Sequence, residues 1–495
     1  MSLFRAGSLA GIAQRARARP FVARWNRTRA HVTVGVLVAG TLGALLTRQS
    51  RGLPLLLVAS AAFVLLVVME VLAPVLDRRV VLWVSAGLVL AAVLAPPRDS
   101  QDVWSYAMYG HMVTHYHASP YAASPMAYSG DPWFWRVSVW WQDTKTVYGP
   151  VFTGLSAAGM LGAGGSALAA RLFFQLLTGA AVLGAVVLLY RRGAEAGALA
   201  FLGLSPVMTV NVVNGAHNDA LVGIAALAAV LALSRGRPTR SAGAVLAGVL
   251  LGLGALVKLV AVLPAAALVA WLWRREGVRR ALGVAGIVAG IVVVGYLLVG
   301  GLPALGPVQD ASRLVDHWSL WGWFGHKVPP SPVAQGQLGG LLIPPAPKLW
   351  LTGNARYAGS ALVAVVAAVA GLAGSADSRP SSGMAATALG FVLATSYIQP
   401  WYLAALLPLL ALQWRSRLAA LGLAYSVLLL LSDAWTNSTG VLKTVLRVPL
   451  STAFPVFQLV ALVALIGLAV AQVRRAGLPP LRPALARPPE TLTAA

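Results

Sequence analysis

The feature that most limits the fold of this chain is its succession of long apolar segments separated by short polar ones. Residues 53–75, 168–190 and 281–300 each carry at most one charged residue over a length close to that of a membrane-spanning helix. Such segments must be helical, because backbone polar groups find no water in the hydrocarbon region. With 58% hydrophobic and 11% charged residues, the chain lies outside the range of soluble proteins. We therefore predict an all-α, polytopic transmembrane helical protein.

The apolar segments indicate roughly 13–14 crossings of the membrane. A helix over residues 242–273 would be about 48 Å long, well beyond a hydrocarbon core of about 30 Å, so we predict a break near Lys258. The predicted spans are 32–47, 53–75, 80–96, 168–190, 195–212, 219–234, 242–257, 259–273, 281–300, 355–373, 383–398, 401–414, 417–432 and 454–472.

Basic residues set the orientation of these spans. Residues 1–31 contain seven arginines and no acid, so we expect this segment in the cytoplasm, and three crossings then place residues 98–149 outside. The net charge of +24 lies in short segments between apolar runs. It therefore sets topology and does not indicate nucleic-acid binding.

The Gly-rich segment 150–164 leaves two topologies open, because it is apolar but short for a span. If it crosses, the basic segments 235–241 and 274–280 lie outside. If it is re-entrant or interfacial, they lie inside, which the positive-inside rule favours. We predict a basic cytoplasmic N-terminus (1–31), a transmembrane domain (32–475) with external loops 98–149, 301–350 and 433–453, and a disordered cytoplasmic tail (476–495), in a multi-pass cell-membrane protein.

Polar residues that are unusual in so apolar a chain gather on the predicted outer side. On a helix, Asp102, Tyr106 and Tyr109 share one face, which would place a carboxylate beside two phenols. The alternative is an interfacial helix whose aromatic side chains anchor it at the membrane surface and whose acidic side chains are solvated. The other candidates are Asn218 and Asp219 in a turn, Lys258 at the predicted break, and Gln399, Trp401 and Tyr402 in a further turn.

Each of these candidates also has a structural explanation. Asn218 or Asp219 could cap a helix, Lys258 could reach the outer headgroups, and the Trp401–Tyr402 pair could belong to an aromatic belt. A lysine at an outside turn opposes the positive-inside trend, however. Ionisable residues at membrane depth are costly and are functional candidates by default.

Together the acid and the lysine suit glycosyl transfer from a polyprenyl-phosphate sugar. Lys258 would pair with the lipid phosphate, and Asp102 would accept a proton from the attacking hydroxyl in an inverting displacement. A secondary transporter or flippase for a lipid-linked or anionic solute is the alternative. It would place charges at the bilayer midplane on broken helices, whereas here they cluster at the outer ends of spans.

Five short segments carry a resemblance to known enzymes. They are DVWSYAMYGHMV at 102–113, VYGPVFTGL at 147–155, NGAHNDALV at 214–222, GALVKLVAVLP at 254–264 and QPWYLAALLPL at 399–409. In these segments the sequence resembles the GT-C glycosyltransferases, in particular the actinobacterial polyprenol-phosphate-mannose-dependent alpha-(1→6)-mannosyltransferases and, more distantly, glycosyltransferase family 87.

This resemblance implies an active site on the extracytoplasmic face of the membrane. It implies that Asp102 is the acidic residue at the start of the first large loop, where it is the catalytic base, that Lys258 is the lysine of the hairpin motif, and that His217, Asn218 and Asp219 form the substrate-binding turn. The implied partners are a polyprenyl-phosphate sugar donor, most often mannose, a lipid-linked or polysaccharide acceptor, and membrane lipids. Trp104 and the histidines 111, 115 and 117 depart from the expected pattern.

No cofactor or metal is predicted. His111 and His115 are four residues apart, which suits a shared ligand on a helix, but no further cluster of ligands accompanies them in the sequence. Cysteine is absent, which excludes disulfides and thiol catalysis.

Overall fold

A computed structural model describes most of the chain as helix. It covers residues 20–47, 49–98, 100–233, 240–316, 318–324, 337–338, 341–342, 348–350, 359, 361–363, 365–366, 368–371, 377 and 379–476. The α-helices are α1 Pro20–Leu46, α2 Leu53–Leu72, α3 Arg78–Leu94, α4 Asp102–Thr114, α5 Pro150–Ala163, α6 Ala167–Arg191, α7 Ala196–Gly203, α8 Asp219–Leu233, α9 Arg240–Val257, α10 Val262–Glu276, α11 Val278–Leu297, α12 Gly306–Ala311, α13 Leu320–Phe324, α14 Pro380–Ala394, α15 Leu407–Ala411, α16 Arg417–Thr436 and α17 Val441–Ala476.

Strands are short and few in the described part of the chain. The strand β1 Leu314–Asp316 pairs antiparallel with β4 Lys348–Trp350, and β2 Gln337–Leu338 pairs antiparallel with β3 Leu341–Leu342. Seven helical stretches among the described residues are long and apolar enough to cross a membrane. The prediction of an all-α, multi-pass membrane protein is confirmed, and the total number of crossings stays a prediction.

Prolines account for two places where a predicted span is not one helix. The predicted span 195–212 is split into α7 and a π-helix at Val207–Val213, with Pro206 between them. The predicted span 401–414 is a 3₁₀ helix at Pro400–Ala405 followed by the short helix α15, which contains Pro408. Proline removes a backbone donor and clashes with the preceding turn, so a continuous α-helix does not form.

Other predicted boundaries also differ from the structure. The helix α1 begins at Pro20, well before the predicted start of the first span at residue 32. The predicted loop 433–453 is mostly helical, since α16 extends to Thr436 and α17 begins at Val441. Residues 1–19 and the predicted tail 477–495 lie outside the described residues, as does most of the predicted span 355–373.

The predicted break at Lys258 is confirmed. Here α9 ends at Val257, and Lys258 adopts an extended conformation (φ −151°, ψ 123°) before the 3₁₀ helix Leu259–Ala261 leads into α10. The segment 150–164 forms α5, which ends at Gly164 in the left-handed region (φ 54°). At 14 residues, α5 is about 21 Å long, so its role as a crossing stays open.

The turn 214–218 is attached to the end of α3 by polar side chains. The Asn214 amide donates to the carbonyls of Ala92, Ala95 and Pro96 at 2.9–3.1 Å, and Gln175 donates to the Asn214 carbonyl at 2.9 Å. The accepting carbonyls lie in the last turn of α3 and in the two residues that follow it, where a helix offers them no backbone N–H partners. The turn is thereby held in place over one end of the helix bundle.

A close backbone contact joins α8 to the 3₁₀ helix Pro400–Ala405. A Cβ atom added at Gly223 would lie 2.0 Å from the carbonyl oxygen of Ala404. We expect Gly223→Ala to lower the free energy of unfolding by about 1–3 kcal/mol, because this backbone has to move. The measurement is thermal unfolding in detergent. Gly162→Ala in α5 is the control, since its Cβ meets no atom within 4 Å, and an equal loss in both variants would contradict the packing argument.

Candidate active site

Five separate segments of the chain meet at one end of the helix bundle. They are the start of α4, the turn before α8, the break after α9, the 3₁₀ helix Pro400–Ala405 and the strand β1. We call the following side chains the candidate site: Asp102, Tyr106, His217, Asn218, Asp219, Lys258, Asp316, Tyr397, Gln399, Trp401 and Tyr402.

Asp102 is the first residue of α4 and faces the turn 214–218. Its backbone N–H donates to the Ser100 hydroxyl at 3.1 Å, which fixes the start of the helix. One carboxylate oxygen, Oδ2, lies 3.7 Å from Nδ1 of His217. The Asp102 side chain is 14% exposed, so it is largely buried but keeps a small surface that a substrate hydroxyl can reach.

Tyr106 lies one turn beyond Asp102 on the same face of α4, as predicted. Its hydroxyl is 3.4 Å from Nδ1 of His217, and its ring packs edge-on against Tyr148 and Phe152. Tyr109 is buried as well, but its hydroxyl donates to the Thr144 carbonyl at 2.7 Å. Tyr109 therefore links α4 to the segment 115–149 that follows it, and its contact with a substrate stays a prediction.

The turn before α8 holds its polar side chains in an unusual arrangement. Ala216 adopts a left-handed conformation (φ 59°), which is rare for a residue with a Cβ atom and is typical of functional turns. The His217 ring stacks on Trp401, with centroids 3.8 Å apart and planes inclined by 5°. The strained turn thus presents His217 between Asp102 and an aromatic face.

Asn218 is fully buried, yet its amide nitrogen and oxygen have no hydrogen-bond partner among the described residues. Nε2 of the buried His217 likewise has no hydrogen-bond partner among the described residues. Buried polar groups in proteins are nearly always hydrogen-bonded, and an unpaired one costs about 1–3 kcal/mol. These atoms are therefore suited to a bound polar ligand or to ordered water.

Lys258 forms an ion pair with Asp219, in which Nζ lies 2.9 Å from each carboxylate oxygen. The ammonium group also lies 4.1 Å from the centre of the Tyr402 ring. The Lys258 side chain is 17% exposed and that of Asp219 is 3% exposed, so the pair is largely removed from solvent. An ammonium group has three N–H donors, which leaves one beyond the two that Asp219 accepts.

Two site residues were not singled out in the sequence. The Asp316 carboxylate accepts from Gln399 at 2.6 Å and from the backbone N–H of Trp318 at 2.9 Å, and Tyr397 packs between Trp141 and Tyr402. Gln399, predicted to bind substrate, therefore holds Asp316 in place. No sequence signal links Asp316 to residue 399, because their contact spans 83 positions of the chain.

An apolar pocket of about 520 Å³, counting space open to the exterior, adjoins the Lys258–Asp219 pair. It is lined by side chains of α10, α14 and the 3₁₀ helix Pro400–Ala405, among them Leu263, Pro264, Phe391, Val392 and Ala405. The apolar lining of the pocket therefore lies directly beside the Lys258–Asp219 ion pair.

His111 and His115 at the C-terminal end of α4 form no set of metal ligands with other described residues. His111 and His115 stack at 4.8 Å, and His111 Nε2 lies 2.9 Å from the Asp131 carboxylate. Within the part of the chain that the structure describes, no group of three or more His, Cys, Asp or Glu side chains could hold a metal ion.

Comparison with known proteins gives concordant matches. A family model described as "Alpha-(1->6)-mannopyranosyltransferase, N-terminal domain" matches residues 3–275. A probable alpha-(1→6)-mannopyranosyltransferase of Mycolicibacterium smegmatis is 26% identical over 454 residues, which cover 84% of this chain and 77% of that protein. Alpha-(1→6)-mannopyranosyltransferase A of Corynebacterium glutamicum is 29% identical over 155 residues, or 30% of this chain and 31% of that protein.

The family match covers α1 to α10 and includes Asp102, the turn 214–219 and Lys258. It spans more than half of the sequence. The chain therefore belongs to the alpha-(1→6)-mannopyranosyltransferase family.

Proposed function

We propose that this protein is a membrane mannosyltransferase of the GT-C type. It moves mannose from polyprenyl-phosphate mannose to a lipid-linked or cell-envelope glycan acceptor on the extracytoplasmic face. The observation that carries the proposal is the meeting of Asp102, the turn 217–219 and Lys258 in one site that borders an apolar pocket. The family to which the chain belongs supports mannose as the transferred sugar.

The donor has two chemically different ends, and the site has a surface for each. The apolar pocket suits the first isoprene units of the lipid, because its lining is hydrocarbon and it opens beside Lys258. The third N–H of Lys258 is directed to a phosphate oxygen, while Asp219 keeps the ammonium group in place. The unpartnered side-chain amide of Asn218 then forms hydrogen bonds with the hydroxyl groups of the mannose.

The transfer step requires a base and a stabilised leaving group. The Asp102 carboxylate takes the proton of the acceptor hydroxyl as the hydroxyl oxygen forms a bond to the anomeric carbon. The bond between that carbon and the phosphate oxygen breaks, and polyprenyl phosphate leaves with the electron pair. Lys258 stabilises the charge on this phosphate, and the configuration at the anomeric carbon is inverted.

Asp219 is the rival base, and its contacts argue against it. Both of its oxygens accept from Lys258, so a proton transferred to Asp219 would weaken a buried ion pair. The Asp102 carboxylate lies 3.7 Å from His217 Nδ1, and its side chain is 14% exposed, compared with 3% for Asp219. These contacts favour Asp102 as the proton acceptor.

The test of the proposed function is mannosyl transfer by the purified protein. Radiolabelled polyprenyl-phosphate mannose is incubated with mannosides of increasing length in detergent. We expect label to appear in the acceptor. Absence of transfer to every acceptor, together with movement of the intact lipid across proteoliposomes, would identify the protein as a flippase instead.

The positions of the two ends of α3 support the proposal that the site lies on the extracytoplasmic side of the membrane. Arg78 at its start donates to the Tyr190 carbonyl and lies 4.7 Å from the Tyr190 ring, whereas the other end, 17 residues on, meets Asn214 of the site. The basic end and the site are therefore about 25 Å apart. With basic residues on the cytoplasmic side, the site faces outward.

Cysteine labelling tests this topology cleanly, because the chain has no cysteine. We expect Gly130→Cys to react with a membrane-impermeant maleimide in intact cells. Arg279→Cys, in the predicted cytoplasmic segment 274–280, should react only after permeabilisation. Both positions are exposed, so neither substitution disturbs packing. Labelling of position 130 only after permeabilisation would overturn the topology and the proposed side of the active site.

A further inference from the structure

A continuous row of rings lies in the segment 100–149, outside the candidate site. Trp104 packs against Trp133 with centroids 6.4 Å apart, and Trp133 lies 6.1 Å from His111. From there the contacts continue through His115 and Tyr116 to Tyr128 at distances of 4.2–4.8 Å. We call this set the ring row, and it consists of Trp104, His111, His115, Tyr116, Tyr128 and Trp133.

A single buried carboxylate holds the row in place. Asp131 is 6% exposed and accepts from the Trp133 backbone N–H at 2.7 Å, from the Tyr116 hydroxyl at 2.9 Å and from His111 Nε2 at 2.9 Å. Burial alone raises the pKa of the Asp131 carboxyl, but these three hydrogen bonds outweigh it and lower the pKa below its usual value. The carboxylate is therefore charged at neutral pH, and the rings around it are preorganised.

The outer end of the row is exposed. Tyr116 is 37% exposed and His115 is also exposed, whereas Trp133 is buried beneath Arg136, whose guanidinium lies 5.7 Å from its ring. Exposed rings that are fixed by polar bonds differ from the lone aromatic residues of a membrane belt, which need only an amphipathic ring. Rings beside imidazole, hydroxyl and guanidinium groups suit a ligand that has both C–H faces and hydroxyl groups.

The ring row and the candidate site share α4 but lie on different faces of it. Asp102 begins this helix, and Trp104 and His111 lie two and nine residues further along it. At about 100° per residue, both are turned by about 180–200° from Asp102, and at about 1.5 Å per residue His111 is about 14 Å beyond it. A glycan that passes around the start of α4 therefore reaches the row within the length of a short oligosaccharide.

We propose that the ring row is a carbohydrate subsite, which binds the sugars of the acceptor glycan beyond the one that receives mannose. The C–H faces of the sugar rings pack on His115, Tyr116 and the half-buried Trp104. The assignment of this glycan as acceptor rests on the proposed function. The binding of an oligosaccharide to the row does not depend on it.

The test is direct binding of α-(1→6)-mannooligosaccharides to the purified protein by calorimetry, compared with methyl α-mannoside. We expect His115→Ala and Tyr116→Ala each to raise the Kd for the long ligand about tenfold and to leave that for the monosaccharide unchanged. Tyr116→Phe keeps the ring and should retain most of the affinity. Trp135→Ala is the matched control, because Trp135 is 73% exposed in the same segment and packs on Phe134, outside the row.

The outcomes separate this proposal from the proposed function. Long-ligand binding that depends on His115 and Tyr116, in a protein that transfers no mannose, would keep the subsite and reject the transferase. Unchanged binding in both alanine variants, or an equal loss in Trp135→Ala, would overturn the subsite. A lower Tm of His115→Ala and Tyr116→Ala in nanodiscs but not in detergent, with glycan binding intact, would identify the row as a membrane anchor and also overturn it.

Discussion

Replacing Asp102 with Asn should lower turnover by at least about 10²–10⁴-fold while the fold stays intact. The amide has nearly the same shape as the carboxylate but accepts no proton. The bond from the Asp102 backbone N–H to the Ser100 hydroxyl does not involve the substituted side chain, so the start of α4 should stay intact. The measurement is kcat for mannosyl transfer at saturating donor and acceptor, with Tm in detergent as the test of folding.

Asp143→Asn is the matched control for this result. Asp143 lies in the same segment of the chain, is exposed and accepts from the Ser124 hydroxyl at 2.9 Å. Its replacement should leave turnover within about twofold, as surface substitutions usually do. Near-normal turnover in Asp102→Asn, combined with complete loss in Asp219→Asn, would move the base to Asp219. The assignment of the first loop would then be wrong.

The convergence of the site was predictable from the sequence because it follows from topology. Once alternate spans place 98–149, 214–219, 258 and 399–402 at the same membrane surface, Asp102, the turn and Lys258 have to lie at one end of the bundle. The helical spacing of Asp102 and Tyr106 likewise placed both on one face of α4.

The pairings within the site were not predictable. Spacing and hydropathy say which residues reach the outer surface, but the Lys258–Asp219 ion pair depends on how α8 and α9 pack. The same holds for Asp316, which joins the site through a hydrogen bond with Gln399 across 83 residues. Neither hydropathy nor helical periodicity encodes such distant contacts.

Because Lys258 is paired with Asp219, removing the lysine should lower both activity and stability. Lys258→Ala should lower kcat/KM by about 30- to 1,000-fold, or about 2–4 kcal/mol, because the donor phosphate loses its cation. It should also lower the free energy of unfolding by about 3–5 kcal/mol, because the carboxylate of Asp219 is left buried and unpaired. The measurements are the donor KM, kcat and denaturation in detergent. Lys258→Arg should recover only part of the activity, since its planar fork differs from a point charge.

A double variant separates the two roles of this lysine. In Lys258→Ala combined with Asp219→Ala no buried charge remains, so most of the lost stability should return, because removing both partners is far less costly than removing one. The donor KM should stay high, since the group that meets the phosphate is still missing. If the donor KM of the double variant instead returned to the wild-type value along with stability, the activity lost in Lys258→Ala would be a consequence of misfolding. Lys258 would then be a structural partner of Asp219 and of the Tyr402 ring, and the phosphate would be bound elsewhere.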